Sequence, residues 1–229
     1  MTGNPVFVTG GTGYLGRPLI VALLASGHTV HALVRPGSEA KLPAGALPVA
    51  GDALDASTFA AAIPPAATMV HLIGTPHPSP AKAAEFRRVD LGSVRAATAA
   101  AQRAGVRHLV YVSVAHPAPV MQAYIAVREE GEALVMASGI PVTILRPWYV
   151  LGPGHRWPYV LFPFYAALKW FPATRASAER LGLVTLDEMT AALVRAVDAP
   201  PARGTRIVEV PEIRRARNER SNPPGDTIR

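Results

Sequence analysis

The residues Thr9-Gly10-Gly11-Thr12-Gly13-Tyr14-Leu15-Gly16 satisfy two glycine spacings at once. Gly11, Gly13 and Gly16 make G-x-G-x-x-G, while Thr9, Gly10, Gly13 and Gly16 make T-G-x-x-G-x-x-G. Glycines at these intervals permit a tight turn and let the backbone approach a pyrophosphate. A helix that follows presents free N–H groups and the positive end of its dipole to the phosphates. Glycine triplets also occur in ordinary turns, but here an apolar strand-like run precedes the triplet and a helical pattern follows it. That is the context dinucleotide binding requires. About 20 residues beyond such a loop, a carboxylate would bond the 2′-hydroxyl of an NAD ribose, whereas Arg accommodates the 2′-phosphate of NADP. The second apolar run ends in Leu33-Val34-Arg35, with no carboxylate before Glu39. Arg35 therefore points to NADP(H), with NAD(H) as the alternative; an ordinary exposed Arg is the plainer reading of the same residue.

Other chemistries are poorly provided for. The chain has no Cys, which excludes disulfide frameworks, Cys-ligated zinc, iron–sulfur clusters and thiol nucleophiles. The seven His, at 28, 31, 71, 77, 108, 116 and 155, show no metal-ligand spacing, so no metal is expected. His116 and His155 reach a substrate only if their loops fold over the site. No G-x-S-x-G suggests a hydrolase.

The elements that must hold the glycine loop follow from periodicity. Strands are read at Pro5–Thr9, Thr29–Arg35, Leu47–Ala50, Thr68–Gly74, His108–Val114 and Pro141–Pro147, with short late ones at Leu183–Thr185 and Arg206–Val210. Helical patterns lie between them: Tyr14 to about Ser26, a small one capped by Asp55, a long one ending at Gly105, and Met121 to Ser138. A last helix has Thr185 or Asp187 as its cap. Apolar strands separated by helices predict an α/β fold, a doubly wound and mostly parallel Rossmann-type sheet with helices on both faces. Ligands of such sheets bind at the carboxyl ends of the strands.

With 229 residues, 49% hydrophobic and 17% charged, the chain can build one sizeable core and is not a disordered polymer. Residues 1–213 are read as a single nucleotide-binding domain and 214–229 as a loose basic tail. The net charge of +7 needs care, because five Arg against Glu219 and Asp226 put +3 of it in that tail. No nucleic-acid partner is expected. Neither a leader nor a spanning segment is read at the start or at Trp157–Pro172, where Pro and Lys interrupt a short apolar stretch, and the protein is expected to be cytoplasmic.

The glycine loop, Gly51-Asp52-Ala53-Leu54-Asp55, Val70-His71-Leu72-Ile73-Gly74, Tyr111-Val112-Ser113 and Ile144-Leu145-Arg146-Pro147 together resemble extended and atypical short-chain dehydrogenase/reductases. The match covers about Pro5 to Gly154, with weaker similarity through Thr185–Val197. The resemblance implies that Asp52 and Ala53 lie against adenine, Leu72, Ile73 and Gly74 along the cofactor, and Pro147 near the nicotinamide. A turn or cap is the competing reading for Asp52.

Catalytic members of the family use a Ser after the fifth strand and Tyr-x-x-x-Lys on the next helix. Tyr passes a proton to or from the reacting oxygen, a nearby cation supports it, and Ser bonds the substrate oxygen. By this resemblance the candidates are Ser113, Tyr124 and Arg128, since Tyr124-Ile-Ala-Val-Arg128 has the spacing but carries Arg for Lys. Arg keeps the charge without being able to release a proton. The alternatives are a packed Tyr124 and an Arg128 paired with Glu132 on an exposed face. A second match, Tyr165-Ala-Ala-Leu-Lys169, follows the sixth strand and is set aside.

Nine of the fifteen aromatic residues fall between Trp148 and Phe171, where family members build substrate pockets. Trp148, Tyr149 and Trp157 are read as walls for an apolar or aromatic substrate; core packing, a subunit interface and shallow membrane attachment are the rivals. The leading expectation is an NADPH-dependent reductase of a small apolar or aromatic carbonyl, enone or quinone, acting as monomer or homodimer. The alternatives are a non-catalytic NAD(P)-binding redox sensor and, third, a nucleotide-sugar epimerase or dehydratase.

Overall fold

Val- and Ile-rich runs that can be buried on both faces become the central strands of a parallel sheet. The computed structural model describes residues 3–76, 78–118, 120–153 and 181–221. Its principal sheet contains β1 (Pro5–Thr9), β2 (Thr29–Val34), β3 (Leu47–Ala50), β4 (Thr68–His71), β5 (His108–Val112), β6 (Val142–Arg146) and β9 (Thr205–Glu209). The order is β3-β2-β1-β4-β5-β6-β9, and every neighbouring pair is parallel. The order reverses beside β1, between β1 and β4, which opens a crevice at the strands' carboxyl ends. Register brings Thr9 level with both Leu33 and His71, so those ends finish in step.

Helices cover both faces. Helix α1 (Gly16–Ala25) packs beside α5 (Leu186–Asp198) and α6 (Val210–Ser221), burying Leu19, Ile20 and Leu23 with Val194 and Ile213. On the other face lie α3 (Gly92–Arg103), α4 (Gln122–Met136) and the Phe7–Phe59 ring stack at 6.0 Å. Truncating a fully buried side chain such as Leu23 to Ala would cost about 2–5 kcal/mol. Gly27 stops α1 at φ +83°, a conformation that side-chain-bearing residues rarely adopt. Thr185 caps α5 in a capping box: its Oγ1 accepts the Glu188 N–H at 3.2 Å, and Glu188 accepts the Thr185 N–H at 2.7 Å.

Four local expectations change. The small helix after Asp55 is two 3-10 turns, Ala56–Thr58 and Ala60–Ala62, the first capped by Asp55 through the Ser57 N–H at 2.9 Å. The long helix before Gly105 is interrupted: α2 (Ala83–Glu85) runs into a π-helical turn, Phe86–Leu91, before α3 begins. The chain after Gly152 is preceded by an unexpected strand, β7 (Tyr149–Leu151), which pairs in parallel with β8 (Leu183–Thr185) as a separate small sheet. Finally, the segment expected to be loose from Arg214 begins as helix, because α6 runs through Ser221. Ile213 and Ala216 anchor it in the core, and the Arg214 side chain donates to the Leu183 carbonyl.

Candidate active site

The loop between β1 and α1 is shaped by what glycine leaves out. A Cβ on Gly16 would sit 2.2 Å from the Gly10 carbonyl oxygen, and one on Gly11 would sit 2.9 Å from Ile20 Cδ1. Gly10 itself has φ +77°, with its Cβ position against the backbone of Leu72 and Ile73. Only glycine permits this close stacking of loop, helix and β4 exit. No side chain caps α1, and no acidic residue occupies its first turn. In that turn the Arg17 N–H is taken by the Gly13 carbonyl at 3.2 Å and Pro18 has none, so the Gly16 amide and the positive end of the helix dipole are what the turn offers a phosphate.

The cleft, about 610 Å³, is lined on one side by Gly10, Gly13, Tyr14, Leu15 and Gly16, and on the floor by Leu72, Gly74 and Thr75. Ser113, Tyr124 and Arg128 line it further along, with Pro147, Trp148 and Tyr149 at the far wall. The anticipated phosphate loop and the anticipated catalytic trio therefore share one cleft. Thr9 lies buried beneath it; Gly11, Thr12 and Ile73 support the loop without lining the cleft. Arg35 is exposed at the end of β2, and no described carboxylate pairs with it; Glu39 instead accepts the Gly37 N–H at 3.1 Å. Asp52 fulfils its competing role as a turn residue, accepting the Leu54 N–H at 2.9 Å, with Ala53 packed beside it against the core. Trp157, His155 and the aromatics from Tyr159 to Phe171, like Tyr165 and Lys169, lie outside the described residues, as does His77.

Arg128 is not on an exposed face and does not pair with Glu132. It is 5% exposed, and its Nη2 donates to Asp90 Oδ1 at 2.7 Å. Nη1 donates to the Val112 carbonyl at 3.1 Å, and the guanidinium carbon lies 5.1 Å from the Tyr124 ring centre. Nε, also buried, has no partner among the described residues. Burial opposes the charge on Arg128, but Tyr124, Tyr111 and Asp90 hold it protonated well beyond its ordinary range. Gly74 and Gly131 make room: a Cβ on Gly74 would meet Arg128 Nη2 at 2.2 Å, and one on Gly131 would meet the Tyr111 hydroxyl at 2.5 Å.

Asp90 was not among the residues singled out from sequence. Its other oxygen accepts both the Thr75 N–H at 3.0 Å and the Thr75 hydroxyl at 2.6 Å. A π-helical turn, a device frequent at functional sites, is the element that carries it there. His71 was quoted only within a motif, and it joins the two halves of the site. Ser93 uses its one proton on the Asp90 carbonyl, so His71 Nε2–H donates to Ser93 and His71 Nδ1 accepts from Thr9 Oγ1 at 2.8 Å. Burial, helped by the Arg128 charge, lowers the His71 pKa to about 3 and keeps the ring neutral.

Glu132 belongs to a second buried cluster. Arg146 donates to it from Nε at 2.9 Å, and His116 Nε2 approaches at 3.3 Å. Burial would raise the Glu132 carboxyl; the bond from Arg146 and the Ser113 hydroxyl outweigh it and hold the group below the usual carboxylate range. Ser113 Oγ completes no hydrogen bond of full geometry among the described residues, and Ser113 lines the cleft. Among the described residues no group of three or more acidic or His side chains comes together to hold a metal, and no helix is long and apolar enough to cross a membrane.

A parallel sheet with strand order 3-2-1-4-5-6, a glycine turn at its switch point and an uncapped helix beyond that turn together define a dinucleotide-binding α/β protein. The model of a family described as NAD(P)H-binding matches residues 10–157. The chain belongs to this NAD(P)H-binding family. It is 30% identical over 213 residues to a ceramide reductase from Caulobacter vibrioides, covering 92% of this chain and 65% of the relative. It is 32% identical over 168 residues to a 4-hydroxy-2-methyl-3-oxo-4-farnesyl-3,4-dihydroquinoline-1-oxide ketoreductase from Stigmatella aurantiaca, covering 64% of this chain and 50% of the relative. The chain thus spans between half and two thirds of these curated relatives. Among solved structures, a short-chain dehydrogenase/reductase superfamily protein from Agrobacterium tumefaciens with bound NAD superposes with TM-score 0.66 at 22% identity, over 90% of this chain and 77% of that one. A UDP-glucuronic acid 4-epimerase from Bacillus cereus in complex with NAD gives 0.64 at 18%, over 89% and 76%. These two likenesses concern the fold alone.

Proposed function

We propose that the chain is an NADP(H)-dependent reductase that delivers a hydride to the carbonyl, enone or quinone of an apolar or aromatic substrate. The observation that carries this reading is the cleft itself: Ser113, Tyr124 and Arg128 line it together with the phosphate loop. When bound, the reduced nicotinamide supplies hydride to the electrophilic carbon. Tyr124 donates its hydroxyl proton to the oxygen that becomes the alcohol, and Ser113 Oγ orients that oxygen by hydrogen bonding. Arg128 stays charged throughout, paired with Asp90, and packs its guanidinium against the Tyr124 ring; it does not itself give up a proton. The amides of the Gly10–Gly16 turn hold the pyrophosphate, and the exposed Arg35 meets the 2′-phosphate. Met121, Val150, Trp148 and Tyr149 give the far end of the cleft an apolar wall. Relatives named for ceramide and for a farnesyl-bearing ketone support a carbonyl carried on a lipid-like body.

The test is NADPH oxidation across a panel of quinones, enones, ketones and aldehydes, with Tyr124→Phe alongside. Turnover that falls at least tenfold in the variant supports the assignment, while unchanged turnover removes Tyr124 from the mechanism. A second reading, a cofactor-binding redox sensor, is favoured by Arg128 standing where catalytic members carry Lys and by its engagement with Asp90. Tight NADPH binding without turnover of any panel member would establish that reading instead.

A further inference from the structure

The Asp90–Arg128 pair is unusual in its placement. Both partners are nearly inaccessible, 1% and 5% exposed, yet Arg128 lines the cofactor cleft, and its Nε has no partner among the described residues. Asp90 has three donors of its own, one from Arg128 and two from Thr75, so its carboxylate is fully engaged on the side away from solvent. Thr75 follows Gly74 at the β4 exit, and Gly74 leaves no room between itself and the guanidinium. One carboxylate therefore fixes three things at once: the β4 exit, the position of the cation, and the net charge of the cleft floor. The remaining titratable groups near the pair do not offset it. His71 is neutral, Tyr111 is pushed by burial further from ionisation, and Glu132 is engaged with Arg146 and His116.

We propose that Asp90 is the charge-setting and positioning residue of the cleft. By clamping Arg128 and cancelling its charge, it lets the cleft accept the cationic oxidised nicotinamide as readily as the neutral reduced one. The inference rests on the cofactor assignment above and adds what selects between the cofactor's two redox states. Without Asp90, a buried cation faces the cleft uncompensated and repels only the oxidised ring. At an effective dielectric of about 20, unit charges some 7–10 Å apart interact strongly enough to change affinity roughly tenfold or more.

The experiment is titration of the full chain with NADP+ and with NADPH, comparing the ratio of the two dissociation constants. Asp90→Asn is expected to raise the oxidised-to-reduced ratio roughly tenfold. The double variant Asp90→Asn/Arg128→Met, with a floor neutral again, is expected to return the ratio to within about twofold of the parent. Thr75→Val keeps both charges and is expected to leave the ratio unmoved while loosening both forms alike. Equal weakening of both forms by Asp90→Asn, or a double variant as skewed as the single one, overturns the charge-setting role. If Asp90→Asn does not fold, Arg128→Met alone decides: it leaves the Asp90 carboxylate uncompensated, so a ratio below the parent's supports the proposal, and an unmoved or raised ratio overturns it. A parent chain that binds neither form overturns the cofactor reading itself, whereas binding with an unmoved ratio in every variant overturns only the role of Asp90.

Discussion

The phosphate loop and the cleft floor solve the problem of holding one ligand in opposite ways. The loop is local, eight consecutive residues whose task is mostly to have no side chain, and its donors are backbone amides at the start of α1. The floor is assembled from a distance. Asp90 meets Thr75 across 15 residues and Arg128 across 38, and the pair is held by buried charge. The contrast teaches where each half is vulnerable. The loop fails by added volume, the floor by lost charge balance.

The largest expected effect tests the floor. Asp90→Ala leaves Arg128 buried without its counter-charge, and breaking such a pair destabilises by about 3–5 kcal/mol. Urea unfolding should show it as a lower midpoint with the slope unchanged. An Asp90→Ala protein as stable as the parent would mean that the floor is no more fragile than a surface pair. The loop comes next. Gly16→Val pushes side-chain atoms into the Gly10 carbonyl. Loss of about 3 kcal/mol of cofactor affinity, roughly a hundredfold, should appear in a fluorescence titration. Overall stability should fall less than in Asp90→Ala, and the reverse order would break the comparison.

A smaller effect concerns the loop's neighbour. Arg35→Ala should remove the preference for NADPH over NADH, a charge-assisted bond of about 1.5–3 kcal/mol. Equal affinities in the parent would refute the assignment. The most gradual expected effect is one of pH. His71, lowered to about 3, and His108, lowered to about 4, are both buried neutral, burial being the main cause in each. Unfolded His takes a proton near pH 6.5, so the unfolded chain binds more protons below that value. Their contribution to stability is then intact above about pH 6.5 and is lost as pH falls, at up to about 1.4 kcal/mol per pH unit for each. Denaturant midpoints measured from pH 7 down to 4 should track this slope, and His71→Gln should flatten it. Because His71 links Thr9 beneath the loop to Ser93 beside Asp90, that variant also asks whether the halves are coupled.

The same contrast governs how far the sequence could be read. The loop and the parallel character of the strands are contiguous patterns that the structure has where the pattern put them, and of the two caps the pattern offered, Thr185 and Asp187, Thr185 is the one used. Asp90 carried no such signal: in Phe-Arg-Arg-Val-Asp-Leu it reads as part of a charged helix face, and only the π-helical turn swings it inward. The spacing of Arg128 and Glu132 suggested a surface pair for the same reason. Each is buried with a partner from a different element, Asp90 and Arg146, and no local periodicity encodes that. The strand at Tyr149–Leu151 was hidden as well, since it needs a partner more than thirty residues later.

That small sheet has a consequence for how the chain can change over generations. Leu151 lies level with Thr185 and Tyr149 with Leu183, so the chain leaves this two-strand clamp at one end and re-enters it at the other. Tyr149 and Val150 on one strand face the cleft, and Thr185 on the other is already the cap of α5. The segment between these parallel strands therefore begins and ends at fixed points on opposite ends of the ladder. Closing a longer loop between fixed ends adds only about 0.6 kcal/mol per doubling. Because the small sheet is separate from the seven-stranded one, a change of length between its strands would be met as loop-closure entropy and would leave the nucleotide-binding strands in place.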